Sequence, residues 1–133
     1  MTNIAARLLL AGKAAVIPKQ TDGIVETIRV LRVARNSAVK ARSAALVQIR
    51  DVIITAPQSL RDQLAARRSL PGKASVCARF PIIELAGPMS AAKFALRSIA
   101  QRIETLDREI AALDAHLERL VAQPPPNRAP ARK

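Results

Sequence analysis

The side chains that most often carry out covalent or acid–base chemistry are few in this sequence, and each is isolated. Among 133 residues there is one cysteine, Cys77, and one histidine, His116. A single cysteine cannot form an intrachain disulfide or a cysteine-based metal centre, and this usage suits a reducing compartment. We predict that His116 occupies a solvated helical position rather than acting as a ligand or a base.

The carboxylates are also too scattered to form a catalytic group. No spacing brings together on one face the acids Asp22, Asp51, Asp62 and Glu84. The sequence has no phosphate-binding glycine loop, no metal-ligand cluster and no nucleophile–base pair. We therefore predict that these acids are caps or surface charges, that the chain has no catalytic or metal-binding residues, and that it needs no cofactor.

Positive charge is abundant and unevenly distributed. The chain has 22 Lys or Arg against 10 Asp or Glu, a net charge of +12. Residues 1–88 carry +9, residues 89–123 are neutral and residues 124–133 carry +3. This distribution predicts that the basic region, residues 1–88, binds a polyanion. It predicts that the neutral region, residues 89–123, packs against another helix. Nucleic acid is favoured over a membrane surface or an acidic protein, and a solvated basic surface without a ligand is the alternative.

Residues 21–56 are predicted to form one long basic helix, because no Pro or Gly interrupts the chain between Gly23 and Pro57. Its apolar positions keep spacings of 3, 4 or 7: Ile24, Ile28, Leu31, Ala38, Ala45, Ile49 and Val52. At 100° per residue, four cations fall within about 80° of one another, opposite this apolar stripe. The predicted nucleic-acid contacts are these four and two more at the edge of the stripe: Arg29, Arg32, Lys40 and Arg50, with Arg35 and Arg42.

Arg35 and Arg42 allow a second interpretation. At the edge of the apolar stripe, they could form ion pairs with acids of a paired helix, namely Glu104, Glu109 or Asp114. Alternatively, their stems pack on the stripe while their charged ends stay in water.

Residues 89–123 are predicted to form a second long helix with a coiled-coil seam. Apolar residues alternate at spacings of 3 and 4 from Met89 to Leu120, which is the heptad pattern of supercoiled helices. A helix buried on two sides is the alternative. The predicted dimer contacts are the apolar heptad positions Leu96, Ile99, Ile103, Leu106, Ile110, Leu113, Leu117 and Leu120.

Two pairings of these helices compete. The two long helices could fold back on each other as an antiparallel hairpin, or the second could pair in parallel with its copy from another chain. Isoleucine at a positions with leucine at d positions favours two parallel strands. In that arrangement Arg102 would face Asp107, which is favourable, whereas Glu109 would face Asp114, which is not. We expect both contacts and hence a helical homodimer.

The remaining segments connect the two helices or extend beyond them. Residues 1–20 are predicted to hold a short N-terminal helix and a link, and residues 124–133 an extended, disordered Pro-rich tail. Residues 57–88 should contain short helices and the turn-around between the long ones. The predicted fold class is all-α, with no membrane span because no apolar run reaches about 18 residues.

Within the turn-around, the sequence predicts a helix over Ser59–Arg68. The chain should then break at Leu70-Pro71-Gly72. Residues 74–86 are ambiguous between a helical turn at Ser75–Arg79 and an extended stretch. Ser90 is the predicted N-cap of the second long helix.

Two stretches carry a resemblance to a known family. The first comprises AAR at 5–7, LAG at 10–12, IPK at 17–19, DG at 22–23, IRVLRVAR at 28–35, SAVKAR at 37–42, QIR at 48–50 and TAPQSLR at 55–61. The second comprises AAK at 91–93, ALRSIA at 95–100, LD at 106–107 and EI at 109–110. Together they resemble the middle of insertion-sequence transposases of the "IS one-ten" family, relatives of the Piv DNA invertase, in its actinobacterial form.

The resemblance implies a DNA-recombining parent protein. Members of that family have an N-terminal RuvC-like domain with four metal-binding acids, a helical coiled-coil linker and a C-terminal domain with a serine nucleophile. They act on DNA and are guided by a structured RNA. The resemblance covers about residues 4–122. The family's four metal-binding acids and its serine nucleophile have no counterpart in this sequence. Val47 also stands where the family often has Asn.

The resemblance therefore predicts an isolated coiled-coil linker from a truncated transposase. Such a segment would retain dimerisation and contact with DNA or structured RNA, would be inactive alone, and would be cytoplasmic and associated with the nucleoid when bound to DNA. A stand-alone coiled-coil adaptor and a non-functional pseudogene product are the alternatives.

Overall fold

The computed structural model describes residues 21–81 and 83–122. These residues form four helices: α1 Thr21–Thr55, α2 Gln58–Leu64, α3 Leu70–Ala78 and α4 Pro88–Ala122. Helices contain 85% of the described residues, and there is no strand among them. The all-α prediction is thus confirmed, while the predicted N-terminal helix and Pro-rich tail lie outside the described residues.

Helix α1 ends at the point where the sequence makes continuation unfavourable. The amide of Ala56 donates to the carbonyl of Ile53 in a tight last turn. Pro57 then takes φ −55° and ψ 147°. A proline disfavours helical geometry in the residue before it, so the chain turns here and α2 begins at Gln58.

The turn-around differs from the prediction at two places. Helix α2 stops at Leu64 rather than Arg68, and Leu70-Pro71-Gly72 opens α3 instead of breaking the chain. The Oγ of Ser69 accepts a hydrogen bond from the amide of Gly72, at 3.0 Å. Pro71 is favourable in a first turn because its missing N–H would have no helical acceptor there.

The start of α4 also differs. The helix begins at Pro88, so Ser90 lies in its first turn and is not the N-cap. The Oγ of Ser90 nevertheless accepts from the amides of Ala86, at 2.7 Å, and Gly87, at 3.1 Å. Ser90 therefore satisfies amide groups that precede the helix, from a position inside it.

The described residues divide into two compact units. Residues 21–34 and 113–122 belong to the first, and residues 35–112 form the second. In the first unit, Leu117 is buried, and Ile24, Ile28, Leu31, Leu113 and Leu120 are half-buried. In the same unit the side chains of Val25 and Val33 are exposed.

The second unit has one apolar core to which all four helices contribute. Its fully buried side chains are Ile49, Leu60, Leu64, Cys77 and Leu96. Small residues complete it: Ala45, Ala56, Ala74, Ala78 and Ala100. Because alanine buries little area, this core depends on a few larger side chains. No described helix has the length and apolarity needed to cross a membrane.

Candidate nucleic-acid interface

In the first unit, one of the two predicted contacts has an acidic neighbour on its own helix. A terminal nitrogen of Arg29 lies 2.7 Å from a carboxylate oxygen of Glu26. The hydrogen bond and the charge of Arg29 lower the pKa of Glu26, and Glu26 raises the pKa of Arg29. Both groups are exposed, so the pair contributes little to stability. Arg32 is exposed as well.

In the second unit, Arg42 connects α1 to α4. Its Nε lies 2.5 Å from Oδ1 of Asp107, and both side chains are partly covered. An ion pair was one predicted interpretation of Arg42, but the predicted partners did not include Asp107. Asp107 follows the buried Ile103 by four residues, about one helical turn, so it lies at the edge of the core.

Glu104, one of the acids considered for Arg42, pairs elsewhere. Its Oε2 lies 2.9 Å from a terminal nitrogen of Arg79, which follows α3. A second bond joins α3 to α4, from the side-chain amide of Gln101 to the carbonyl of Ala78 at 3.2 Å. Helix α4 is therefore held to the turn-around by polar contacts as well as by the core.

Lys40 and Arg50 are exposed on α1, and Arg35 is half-buried. Val47 and Ile54 are also exposed, and at 100° per residue all four exposed residues fall within about 80° of one another. We call Lys40, Val47, Arg50 and Ile54 the α1 face. Arg50 also reaches Asp51, but at 3.4 Å between two exposed groups, which is a weak contact.

A further group of cations was missed by sequence reasoning. A cleft of about 240 Å³ is lined by Arg50, Ile53, Ile54, Arg68, Leu70 and Lys73. We call it the α1–α3 cleft, and none of its lining residues is acidic. One sequence signal pointed to it: between Asp62 and Glu84 the chain has no acid but has Arg67, Arg68 and Lys73.

Lys73 is held in place by the backbone that precedes α3. Its Nζ donates to the carbonyl of Arg67, at 2.5 Å, and lies 3.5 Å from the carbonyl of Arg68. These contacts hold the ammonium group against the segment that leads into α3. Arg68 itself is exposed.

A second cavity that borders α3 has a different charge balance. It measures about 160 Å³ and is lined by Arg42, Pro71, Ala74, Ser75, Ala100, Ile103, Glu104 and Asp107. Its one cationic side chain is paired with Asp107, and Glu104 is paired with Arg79. These acids make it a poor site for an anion, in contrast to the α1–α3 cleft.

The two potentially reactive side chains, Cys77 and His116, differ in exposure and in their neighbours. Cys77 is fully buried, and burial raises its pKa to about 11, so the thiol stays protonated at neutral pH. His116 is exposed and its Nδ1 lies 2.7 Å from Arg119. Across residues 21–81 and 83–122, no three His, Cys, Asp or Glu side chains are grouped to hold a metal ion.

The predicted dimer contacts of α4 are buried to different degrees. In the second unit, Leu96 is 0% and Ile103 is 4% exposed, and both belong to the core of a single chain. Ile99 packs against that core, and Leu106 and Ile110 are half-buried. Leu96 and Ile103 are therefore occupied within the chain, whereas Ile99, Leu106 and Ile110 retain accessible surface.

Comparison with known proteins gives no relative. No protein-family model, no curated protein and no solved structure matches the chain.

Proposed function

We propose that the chain is a nucleic-acid-binding helical segment that contacts the phosphate backbone. The observation that carries this proposal is the group of exposed cations on and beside α1, Lys40, Arg50 and Arg68, in a chain of net charge +12. Cations that neutralise phosphates release counterions, which supplies affinity without reading sequence.

Backbone contact suits this chain better than base stacking does. The protein has two Phe and neither Trp nor Tyr. Phe80 is buried in the core, which leaves Phe94 as an exposed aromatic side chain. Stacking of successive bases needs several exposed aromatic rings. We therefore propose binding with little sequence preference, to duplex DNA first and to structured RNA second.

The ion pairs distinguish five of the six predicted contacts. Arg42 is engaged by Asp107 across two helices, so freeing it would break a tertiary contact. Arg29 forms an ion pair with Glu26, which partly neutralises its charge. Arg32, Lys40 and Arg50 are the better placed phosphate ligands in this proposal.

We also propose that α1 and α4 pair as an antiparallel coiled coil within residues 35–112. The Arg42–Asp107 pair and the shared core of Ala45, Ile49, Leu96 and Ile103 support this arrangement. A homodimer would then use the less buried seam positions Ile99, Leu106 and Ile110.

The resemblance to "IS one-ten" transposases gives this proposal its biological setting. In such a parent, a basic coiled-coil linker would hold DNA or guide RNA between two catalytic domains. The divalent metal would belong to the RuvC-like domain of that parent, so the present segment would bind nucleic acid without catalysis of its own.

A coiled-coil adaptor for protein partners is the second candidate. It is favoured by one observation, the exposed apolar side chains Ile83, Leu85 and Phe94 at and before the start of α4. This candidate predicts no affinity for nucleic acid.

The test is a titration against a 20-base-pair duplex and a structured RNA at about 50 mM and 200 mM salt. For about four phosphate contacts, affinity for duplex DNA should fall roughly a hundredfold between these concentrations. Binding that is undetectable at about 50 mM salt, or that is equally strong at about 50 and 200 mM salt, would refute the proposal. Either result would favour the adaptor. Sedimentation across a concentration series tests the homodimer.

A further inference from the structure

We infer that the α1–α3 cleft is the phosphate-binding site of this protein, which goes beyond the contacts predicted on α1 and rests on the proposed nucleic-acid function. Three cations from separate parts of the chain border one opening: Arg50 from α1, Arg68 from the link and Lys73 from α3. Their convergence is produced by the fold, because 23 residues separate Arg50 from Lys73.

The lining of the cleft has a single sign of charge. Ile53, Ile54 and Leu70 supply its apolar surface, and no carboxylate lines the opening. Cations grouped without a neighbouring acid in the lining produce a positive local field that attracts an anion. The cavity with Arg42, Glu104 and Asp107 lacks this property because its charges are already paired.

Each cation has a distinct role in this site. Lys73 is anchored by the carbonyl of Arg67, so its ammonium group loses little freedom when it contacts a phosphate. Arg68 can present two parallel N–H donors to two phosphate oxygens. Arg50 also lines the cleft, and its 3.4 Å contact with the exposed Asp51 is weak enough for a phosphate to replace it.

The ligand that fits is a polymer of phosphates rather than a lipid surface. Lys40 lies on the same face of α1 as Arg50, about 15 Å away along the helix at 1.5 Å per residue. A nucleic-acid backbone held in the cleft can continue along the α1 face to Lys40.

The experiment compares two double variants of the full chain that remove the same charge. R50Q/R68Q removes two cations of the cleft, and R102Q/R108Q removes two exposed cations of α4 that do not line it. Binding of the 20-base-pair duplex is measured from about 50 to 200 mM salt, with helicity checked by circular dichroism. We expect R50Q/R68Q to weaken binding at least about tenfold at 50 mM and to reduce the salt slope by about 2. The matched control should lose clearly less.

A charge-preserving variant separates charge from folding. R50K/R68K should lose clearly less affinity than R50Q/R68Q, since lysine keeps the positive charge and lacks only the paired donors of arginine. An equal loss in R50K/R68K and R50Q/R68Q would overturn the site.

The other outcomes are distinct. Equal losses in both neutralising variants would show a diffuse field of charge and no site. Wild-type binding that R50Q/R68Q leaves unchanged would overturn the site but not the proposed function. No binding of duplex DNA or structured RNA by the wild type would overturn both. Binding of phosphatidylserine vesicles that R50Q/R68Q abolishes, with duplex binding unaffected, would reassign the cleft to lipid.

Discussion

The core of residues 35–112 and the α1 face use neighbouring residues of one helix for different purposes. Ile49 is completely buried, whereas Val47 and Arg50 on either side of it are exposed. Ala45 belongs to the core and Lys40 to the face. Because the helix separates packing from charge by angle alone, substitutions should affect either stability or binding. Four predictions test the stability side of this comparison, from the core outwards to the α1 face.

The largest effect is expected from Leu96→Ala in the core. Leu96 is fully buried, so its truncation should lower the free energy of unfolding by about 2–5 kcal/mol, through lost burial and a residual cavity. Urea denaturation followed by circular dichroism measures the change. The matched control is Phe94→Ala, two residues away and 46% exposed, which should cost clearly less. Equal losses would contradict the assigned core.

A second effect concerns Cys77, also in the core. Burial raises the pKa of its thiol from about 9.0 to about 11. The pKa of the thiol is higher in the folded than in the unfolded state, so the folded state is favoured in full below pH 9, where both states hold the proton. That stabilisation is lost as the pH rises from 9 towards 11, because only the unfolded state releases the proton readily. We expect a loss on the order of 2 kcal/mol over this range.

The measurement is urea denaturation at pH 8, 9, 10 and 11, compared with the variant Cys77→Ala at the same pH values. The chain has no Tyr, so phenol ionisation cannot contribute to the difference. The wild type should lose stability with pH more steeply than the variant. Parallel curves for the two proteins would show that the thiol is accessible.

A smaller effect is expected at the boundary between core and face, where Arg42 meets Asp107. The side chains are 31% and 49% exposed, so solvent screens their attraction. A double-mutant cycle with Arg42→Gln and Asp107→Asn should give a coupling of at most about 1 kcal/mol, which weakens in salt. A coupling that persists unchanged at 1 M salt would place the pair in a buried environment.

The smallest effect is expected on the α1 face. Val47 is exposed, so Val47→Ala should change the free energy of unfolding by no more than about 0.5 kcal/mol. The same denaturation assay measures it. A loss above about 1 kcal/mol that grows with protein concentration would show that a second copy covers this face.

The long helices were accessible to sequence reasoning because their signals are local. No Pro or Gly lies between Gly23 and Pro57, and α1 ends at Thr55, before Pro57, as predicted. A helical turn at Ser75–Arg79 was one of the predicted alternatives, but the start of α3 was missed because Pro71-Gly72 resembles a break. With Ser69 as the cap, the same dipeptide fits a first turn.

Contacts between distant segments were less accessible. The spacing of residues indicated that Arg42 could reach an acid of the second helix, but it did not identify Asp107. The choice depends on how α4 is rotated against α1, which the core sets through Ile49 and Ile103. The α1–α3 cleft was missed for a similar reason, since its cations come together only when α3 folds against the end of α1.

The alanines of the core have a consequence for the alignment of the helices. Ala45, Ala56 and Ala100 let backbones approach closely, but a methyl group offers little resistance to sliding along a neighbour. The register of α1 against α4 must therefore be fixed by the few features that protrude, such as Ile49, Leu96 and the Arg42–Asp107 pair. An insertion of two whole helical turns outside these positions should therefore leave the register of α1 against α4 unchanged.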